Sequence, residues 1–240
     1  MPSLVGSEMC IRDRIYVCVS ILCLGVFLYA GDRKNYSVND FGIYSSLTNI
    51  QTESIQKMIN TVSNKGGGVI NFPAGTYVTG SIDIKSDIQL NLDRGAIILG
   101  STNPYDYLKI KSDDDPVSPN ANDNSALALI TSNGARNIAI TGHGVIDGRG
   151  RELALTIDSL HHKGLLVDPK YNYHRNRPNE TARPKLFRIS RVDGMLLKDV
   201  SLRNSACWGV TVELSHNVIM ENLNAVSYTH LRAHETRHDL

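Results

Sequence analysis

Aromatic side chains are scarce in this chain of 240 residues: 6% in all, with one tryptophan and four phenylalanines. Glycine, asparagine, serine and isoleucine are plentiful instead, a mixture suited to many short strands joined by tight turns rather than to a helical bundle. An excess of either charge is missing too. The 25 Lys and Arg against 24 Asp and Glu exclude a disordered polyelectrolyte and remove any charge-based reason to expect nucleic acid as a partner. Of four cysteines, Cys10, Cys18 and Cys23 fall in or before one apolar segment near the start, leaving Cys207. No intrachain disulfide is then expected, and a lone cysteine is usually a small buried hydrophobe.

That apolar segment, Ile15 to Ala30 (IYVCVSILCLGVFLYA), follows Arg12 and Arg14 and holds no charge. It is short for a spanning helix and fits the h-region of a signal peptide, with Ala30 as the small residue at a cleavage point. A secreted or periplasmic location is therefore expected. A buried core helix is the alternative. At the other end, His230, His234 and His238 would share one helix face, as metal ligands do, with Glu235 and Asp239 nearby. A solvated tail is the plainer account, and a third one competes with both. The strings SLVGSEMCIRDR (Ser3 to Arg14) and VSYTHLRAHETRHDL (Val226 to Leu240) resemble translated sequencing-library adapters, and neither continues the pattern beside it. The expected organisation is residues 1–14 adapter-like, 15–30 leader, 31–225 native domain and 226–240 adapter-like, the native part being an N-terminal fragment.

Between these ends the pattern is consistent. Tyr36 to Gly42 reads as a short strand and turn. Ile50, Ile55, Met58, Ile59 and Val62 then fall at helical spacing, and Gly66-Gly67-Gly68 end the helix. An amphipathic helix of this length needs a sheet or barrel end to cover. From Val69 onward short alternating runs take over: VINF, TYVTG, SIDI, IQLNLD, AIILG, and later ALALITS, NIAITGHGVIDG, LFRIS, MLLKDVSLRNS, GVTVELS and NVIMENLNA. Asp87, Asn137, Gly194 and Asn217 each place a turn residue before alternating aliphatics, and Gly194 to Asn217 is 23 residues. That length suits one coil of a parallel β-helix with three short strands. The larger spacings fit if Lys109 to Ser125 and about Arg149 to Pro184 are polar loops inserted between strands. A β-sandwich would need hairpin signals, and only Asn133-Gly134 offers one.

The blocks VNDFG, GGGVINFPAGTYVTGSIDIKSDIQLNLDRGAIILGS, ITGHGVIDGRG and LKDVSLRNSACWGVTVELSHNVIMENL together resemble glycoside hydrolases of family 28, the polygalacturonases of the pectin-lyase-like superfamily. The GxGxIDGxG turn (Gly142 to Gly150) and the Asn204–Trp208 block (NSACW) narrow the resemblance to that branch. It implies an all-β, right-handed single-stranded parallel β-helix with a short N-terminal capping helix. It further implies hydrolysis of α-linked galacturonic acid in pectin, a plant cell-wall polysaccharide, with inversion by two carboxylates. Basic side chains would hold the uronate carboxylates. No metal or organic cofactor is expected, nor nucleic acid, nor a membrane once the leader is removed, and the protein is expected to be a monomer.

The family's catalytic signature, N-x-D, D-D, G-H-G and R-x-K, has an ordered counterpart here: Asn91 to Asp93, Asp113-Asp114, His143 within Gly142 to Gly144, and Arg183 to Lys185. Two readings stay open, a working signature and a coincidence. The second is favoured, because the resemblance places Asn91 to Asp93 in an opening coil and His143 before the catalytic ones. The catalytic residues are thus unassigned and expected beyond Ala225, leaving the fragment inactive. For substrate binding the candidates are Arg183, Asn204 and Trp208. Trp208 either stacks on a sugar ring or packs in the core, and Arg183 either reaches a uronate or is a solvated loop cation. Thr211 stands where many exo-acting relatives of the family carry histidine. His161 and His162, without an acidic or cysteine partner at ligand spacing, read as loop surface, and Asn35 and Asn179 open glycosylation sequons. A pectate or rhamnogalacturonan lyase on the same fold would want a Ca²⁺-binding acidic cluster; a non-catalytic polysaccharide-binding β-helix would show no carboxylate set in the coils expected beyond Ala225.

Overall fold

The computed structural model describes residues 33–107 and 125–226, so the leader, Asp113-Asp114 and the histidine-rich tail lie outside the described residues. The chain divides into two units, Met1–Lys34 and Asn35–Leu240, and the described strands all lie in the second.

Its strands wind into a right-handed parallel β-helix with three faces. The first face stacks β1 (Asn35–Ser37), β2 (Gly68–Phe72), β5 (Ile88–Leu92), β8 (Arg136–Gly142), β11 (Asp193–Lys198) and β14 (His216–Glu221). The second stacks β3 (Gly75–Thr79), β6 (Ala96–Gly100), β9 (Val145–Asp147), β12 (Ser201–Arg203) and β15 (Asn224–Val226). The third stacks β4 (Ile82–Asp83), β7 (Ala128–Asn133), β10 (Lys185–Ser190) and β13 (Val210–Glu213). Strand β15 runs one residue past the expected boundary at Ala225.

Alternation in each strand sends every second side chain inward, and the parallel registers align them in columns. Ile70, Leu90, Ile140 and Leu197 form one column on the first face. Tyr77, Ile98, Ile146 and Leu202 form one on the second, and Ile82, Ile130 and Phe187 one on the third. All of these residues are buried. Each contributes about 1.5–3 kcal/mol by leaving water, so stacking, rather than any single strand, stabilises a coil.

The turn residues singled out above stack as well. Register aligns Gly67, Asp87, Asn137, Gly194 and Asn217, and all five have left-handed backbones, with φ of 87°, 63°, 52°, 84° and 54°. Asn133-Gly134, the one hairpin signal, is instead a turn between the third face and the first.

The helix α1 (Thr52–Asn64) buries Ile55, Met58, Ile59 and Val62 on the open end of the first coil. The cap also satisfies that coil's strand edges, which would otherwise invite pairing with another chain. Strand β1 pairs with β2. The backbone N–H groups of Ser46 and Gln51 donate to Thr76 and Val78 of β3, each at 2.8 Å. The Gln56 amide imitates a strand against Asp83 of β4, accepting from its N–H at 2.7 Å and donating to its carbonyl at 3.0 Å.

The segment expected to be a polar loop after Arg149 instead opens with a helix, α2 (Gly150–His162), which buries Leu153 and Ile157. Those two residues sit one turn apart in a stretch whose other side chains are mostly polar, so the apolar stripe was too narrow to stand out. No helix among the described residues is long and apolar enough to cross a membrane.

Candidate functional site

The two sequence blocks that narrowed the resemblance meet in space. Strand β9 ends at Asp147, whose carboxylate accepts the Asn204 side-chain amide at both oxygens, 3.0 and 2.9 Å, and the Arg149 N–H at 2.9 Å. Asn204 has a left-handed backbone, φ 50°, which turns its amide back onto the coil before. Backbone bonds complete the join, from Gly148 N–H to the Arg203 carbonyl at 3.0 Å and from Gly150 N–H to the Asn204 carbonyl at 2.7 Å. The glycines are needed for this approach: a Cβ on Gly150 would lie 2.5 Å from the backbone of Ser205 and Ala206, and one on Gly148 2.8 Å from the Asn204 carbonyl oxygen.

The second of the joined turns carries an exposed tryptophan. Ser205 donates its hydroxyl to the Trp208 carbonyl at 2.7 Å, and the Trp208 carbonyl also accepts from Leu186 N–H at 3.0 Å. The Trp208 side chain remains 45% exposed, so it is not a core residue. Arg183 is buried beneath the same turn. Its guanidinium donates to the Ala206 carbonyl at 2.7 Å and lies 3.7 Å from Glu180, so it is neither a solvated loop cation nor directed at solvent. Asn204 is likewise spent on Asp147. Of the three expected binding residues, Trp208 is the exposed one, Asn204 is half-buried and Arg183 is buried.

Strand β10 adds a residue the sequence reading passed over. Arg188 is buried on the outward side of the third face, in register with Thr211 of β13 and Thr131 of β7. Burial holds its guanidinium below the ordinary arginine range, and Glu213 pulls the other way. A lone arginine within LFRIS was the available signal, since a cation inside an apolar strand needs a reason.

The catalytic-like signature is split by the fold. Asn91 lies on the outer side of the first face in a polar ladder, donating to Asn71 at 3.1 Å and accepting from Thr141 at 3.2 Å. Asp93 and His143 are exposed in turns between the first and second faces, and Asp93 accepts from Asn91 at 3.2 Å. Arg183 and Lys185 are buried where the chain enters the third face, with the strands of the second face between. Asp113-Asp114 is outside the described residues.

Burial pushes the Cys207 thiol up to about 11; Arg183 and Lys185 lower it less than burial raises it, and Glu180 adds to the rise. At pH 8 its thiolate fraction is then about 100-fold below that of an ordinary thiol, and higher intrinsic nucleophilicity recovers roughly ten-fold of this. Alkylation of the Cys207 peptide, followed by mass spectrometry, is expected to be about ten-fold slower in the native chain than in urea. The neutral thiol favours the folded state, and this contribution is lost as pH rises from about 9 through about 11.

No protein-family model matches the chain. An exo-poly-alpha-D-galacturonosidase from Dickeya chrysanthemi is 31% identical over 221 residues, an alignment covering 78% of this chain and 35% of the relative. A probable polygalacturonase from Vitis vinifera is 26% identical, covering 80% and 36% respectively. Among solved structures, a family 28 exopolygalacturonase from Yersinia enterocolitica superposes with a TM-score of 0.64 at 28% identity, over 82% of this chain and 39% of that one. The chain thus spans about a third of the length of these curated relatives.

Proposed function

We propose, from the premise that this chain is polygalacturonase-like in sequence and a pectin-lyase-like β-helix in fold, that it serves the hydrolysis of α-linked galacturonic acid in pectin. The reaction is inverting: one carboxylic acid protonates the leaving oxygen and a second carboxylate activates water on the opposite face, with room for that water between them. The observation that supports this reading best is the Asp147–Asn204 join, which unites the two turns that carry the resemblance beside an exposed Trp208. An exposed indole held on an ordered turn suits the apolar face of a pyranose ring.

In this reading the described coils are scaffold and binding surface. The acid and base come from residues outside those described, because Asp93 and His143 are separated from Arg183 and Lys185 and form no carboxylate pair. The protein is exported and monomeric. Trp208→Ala is expected to weaken retention on immobilised polygalacturonate by about ten-fold, the upper range for one stacked aromatic. In a genomic clone continuing past Ala225, reducing ends should be released from polygalacturonate, and Asp93→Asn or His143→Ala should leave that rate unchanged. Collapse of the rate in either variant would return the chemistry to these coils. Products with unsaturated ends would make the protein a lyase instead, and no product at all a binding module.

A further inference from the structure

The connection between α2 and β10 carries a feature the proposed reaction does not use. Residues 161–177 (HHKGLLVDPKYNYHRNR) contain Lys163, Lys170, Arg175 and Arg177 and three histidines, against one acid, Asp168. In a chain with a net charge of +1, this is a local concentration of positive charge. The single acid does not neutralise it outwardly. Asp168 is buried, and its carboxylate accepts the backbone N–H groups of Lys170 at 3.0 Å and Asn179 at 2.7 Å. Lys163, Lys170, His174 and Arg175 are exposed.

The segment is also built to hold its shape. Asn172 and Arg177 pair across a tight turn, N–H to carbonyl in both directions at 3.0 and 3.2 Å. The Asn172 side chain accepts the Arg175 N–H at 2.9 Å, and Asn176 takes the left-handed φ of 48° that closes the turn. Beneath this tip lies an aromatic pedestal. The His161 ring stacks on Tyr171 with centroids 4.2 Å apart and planes 6° from parallel. The Tyr171 hydroxyl donates to the Asp158 carboxylate and lies 3.1 Å from His162 Nε2. Burial first, and the Asp158 hydrogen bond second, push this phenol up to about 12, so it stays a donor. His162 thus has an acidic partner, Asp158, at 3.7 Å from its Nε2, while His161 Nδ1 accepts the backbone N–H of Asp168 at 3.2 Å. Tyr173 completes the group: its hydroxyl is 3.1 Å from His161 Nε2, while the side chain is 73% exposed.

We infer that the hairpin tip Tyr173–Arg175, with Lys170, binds an anionic polysaccharide bearing carboxylates; the identity of that glycan as galacturonan rests on the function proposed above. An exposed ring with its hydroxyl anchored offers a face for a sugar, and flanking cations fix the carboxylates of neighbouring residues. Preorganisation matters, because a tip already ordered by its own hydrogen bonds loses little freedom on binding. A nucleic acid is disfavoured, because it needs cations spread along a phosphate track, whereas these are gathered on one hairpin.

The test is fluorescence anisotropy of the full chain with labelled oligogalacturonate, with its fully methyl-esterified form, and with single-stranded RNA. Lys170→Ser/Arg175→Ser is expected to weaken oligogalacturonate binding about five- to ten-fold, the effect of two exposed ion pairs, and to leave the esterified form unaffected. Tyr173→Ala should weaken both glycans, and Lys57→Ser on α1, remote in the sequence and exposed, neither. All four substitutions are at the surface, and circular dichroism checks that the variants fold. If the wild type binds oligogalacturonate and the hairpin variants bind it equally well, the inference is wrong while the proposed function stands. RNA bound more tightly and lost in the same variants would overturn it in favour of nucleic acid. No binding of any galacturonan by the wild type would remove both readings.

Discussion

Gly150→Ala is expected to cost about 3 kcal/mol of folding stability, the upper part of the range for forcing a methyl group into filled space. The added Cβ would sit 2.5 Å from Ala206 N and from the Ser205 carbonyl group. These are backbone atoms of the neighbouring coil, so no side-chain rotation relieves the overlap. Gly150 is not a positive-φ residue, and alanine is otherwise favoured over glycine in a helix; space alone sets the sign. For a domain of this size 3 kcal/mol corresponds to a fall in Tm of roughly 6–12 °C. The displaced turn carries the only tryptophan, so the fluorescence of the folded variant should shift as the Trp208 environment opens. Gly209→Ala is the matched control. It adjoins the same tryptophan, its Cβ would meet nothing within 4 Å, and it should change stability by less than about 0.5 kcal/mol. Equal stability of the two variants would mean that the turns are not held in the close contact described.

The repeat was legible because it is written twice, in side-chain alternation and in turn residues. Asp87, Asn137, Gly194 and Asn217 were visible as punctuation, and the fold stacks them on one edge. The capping role of α1 was legible for a similar reason: Ile55, Met58, Ile59 and Val62 make a complete apolar stripe. Helix α2 was not, since Leu153 and Ile157 alone face the core. At the candidate site the motifs were readable but their division of labour was not. Asn204 and Arg183 have the chemistry of ligand-binding residues, and only the coil-to-coil contact shows that Asp147 and the Ala206 carbonyl occupy them. The pedestal under Tyr173 was hidden for another reason. Its acid, Asp158, stands four residues before His162 on a helix that was expected to be a polar loop, where that spacing carries no meaning.

The stacked turn residues make the second large prediction: Asn137→Ile should destabilise by about 3 kcal/mol, and Asn137→Gly by about half as much. Two separable costs are involved. The first is conformational, because φ of 52° places a side chain's Cβ against its own backbone, a penalty of about 1–2 kcal/mol that glycine escapes and a β-branched residue feels in full. The second is the hydrogen bond from the Asn137 amide to the Asp87 carboxylate, 3.0 Å, which both substitutions remove and which is worth about 1.5 kcal/mol as a bond to a charged group. Glycine already appears in this column where room is short: a Cβ at Gly67 would lie 2.3 Å from the Asp87 carbonyl oxygen, and one at Gly194 3.2 Å from Asn137 Oδ1. The column therefore combines residues that supply a bond with residues that make room for one. Chemical denaturation of the wild type, both variants and Asp87→Ala tests the partition. Asp87→Ala combined with Asn137→Gly should cost about 1.5 kcal/mol less than the two single changes added together. If Asn137→Ile proves no worse than Asn137→Gly, the left-handed backbone is not what selects asparagine here, and the hydrogen-bond ladder alone would have to account for the repeat.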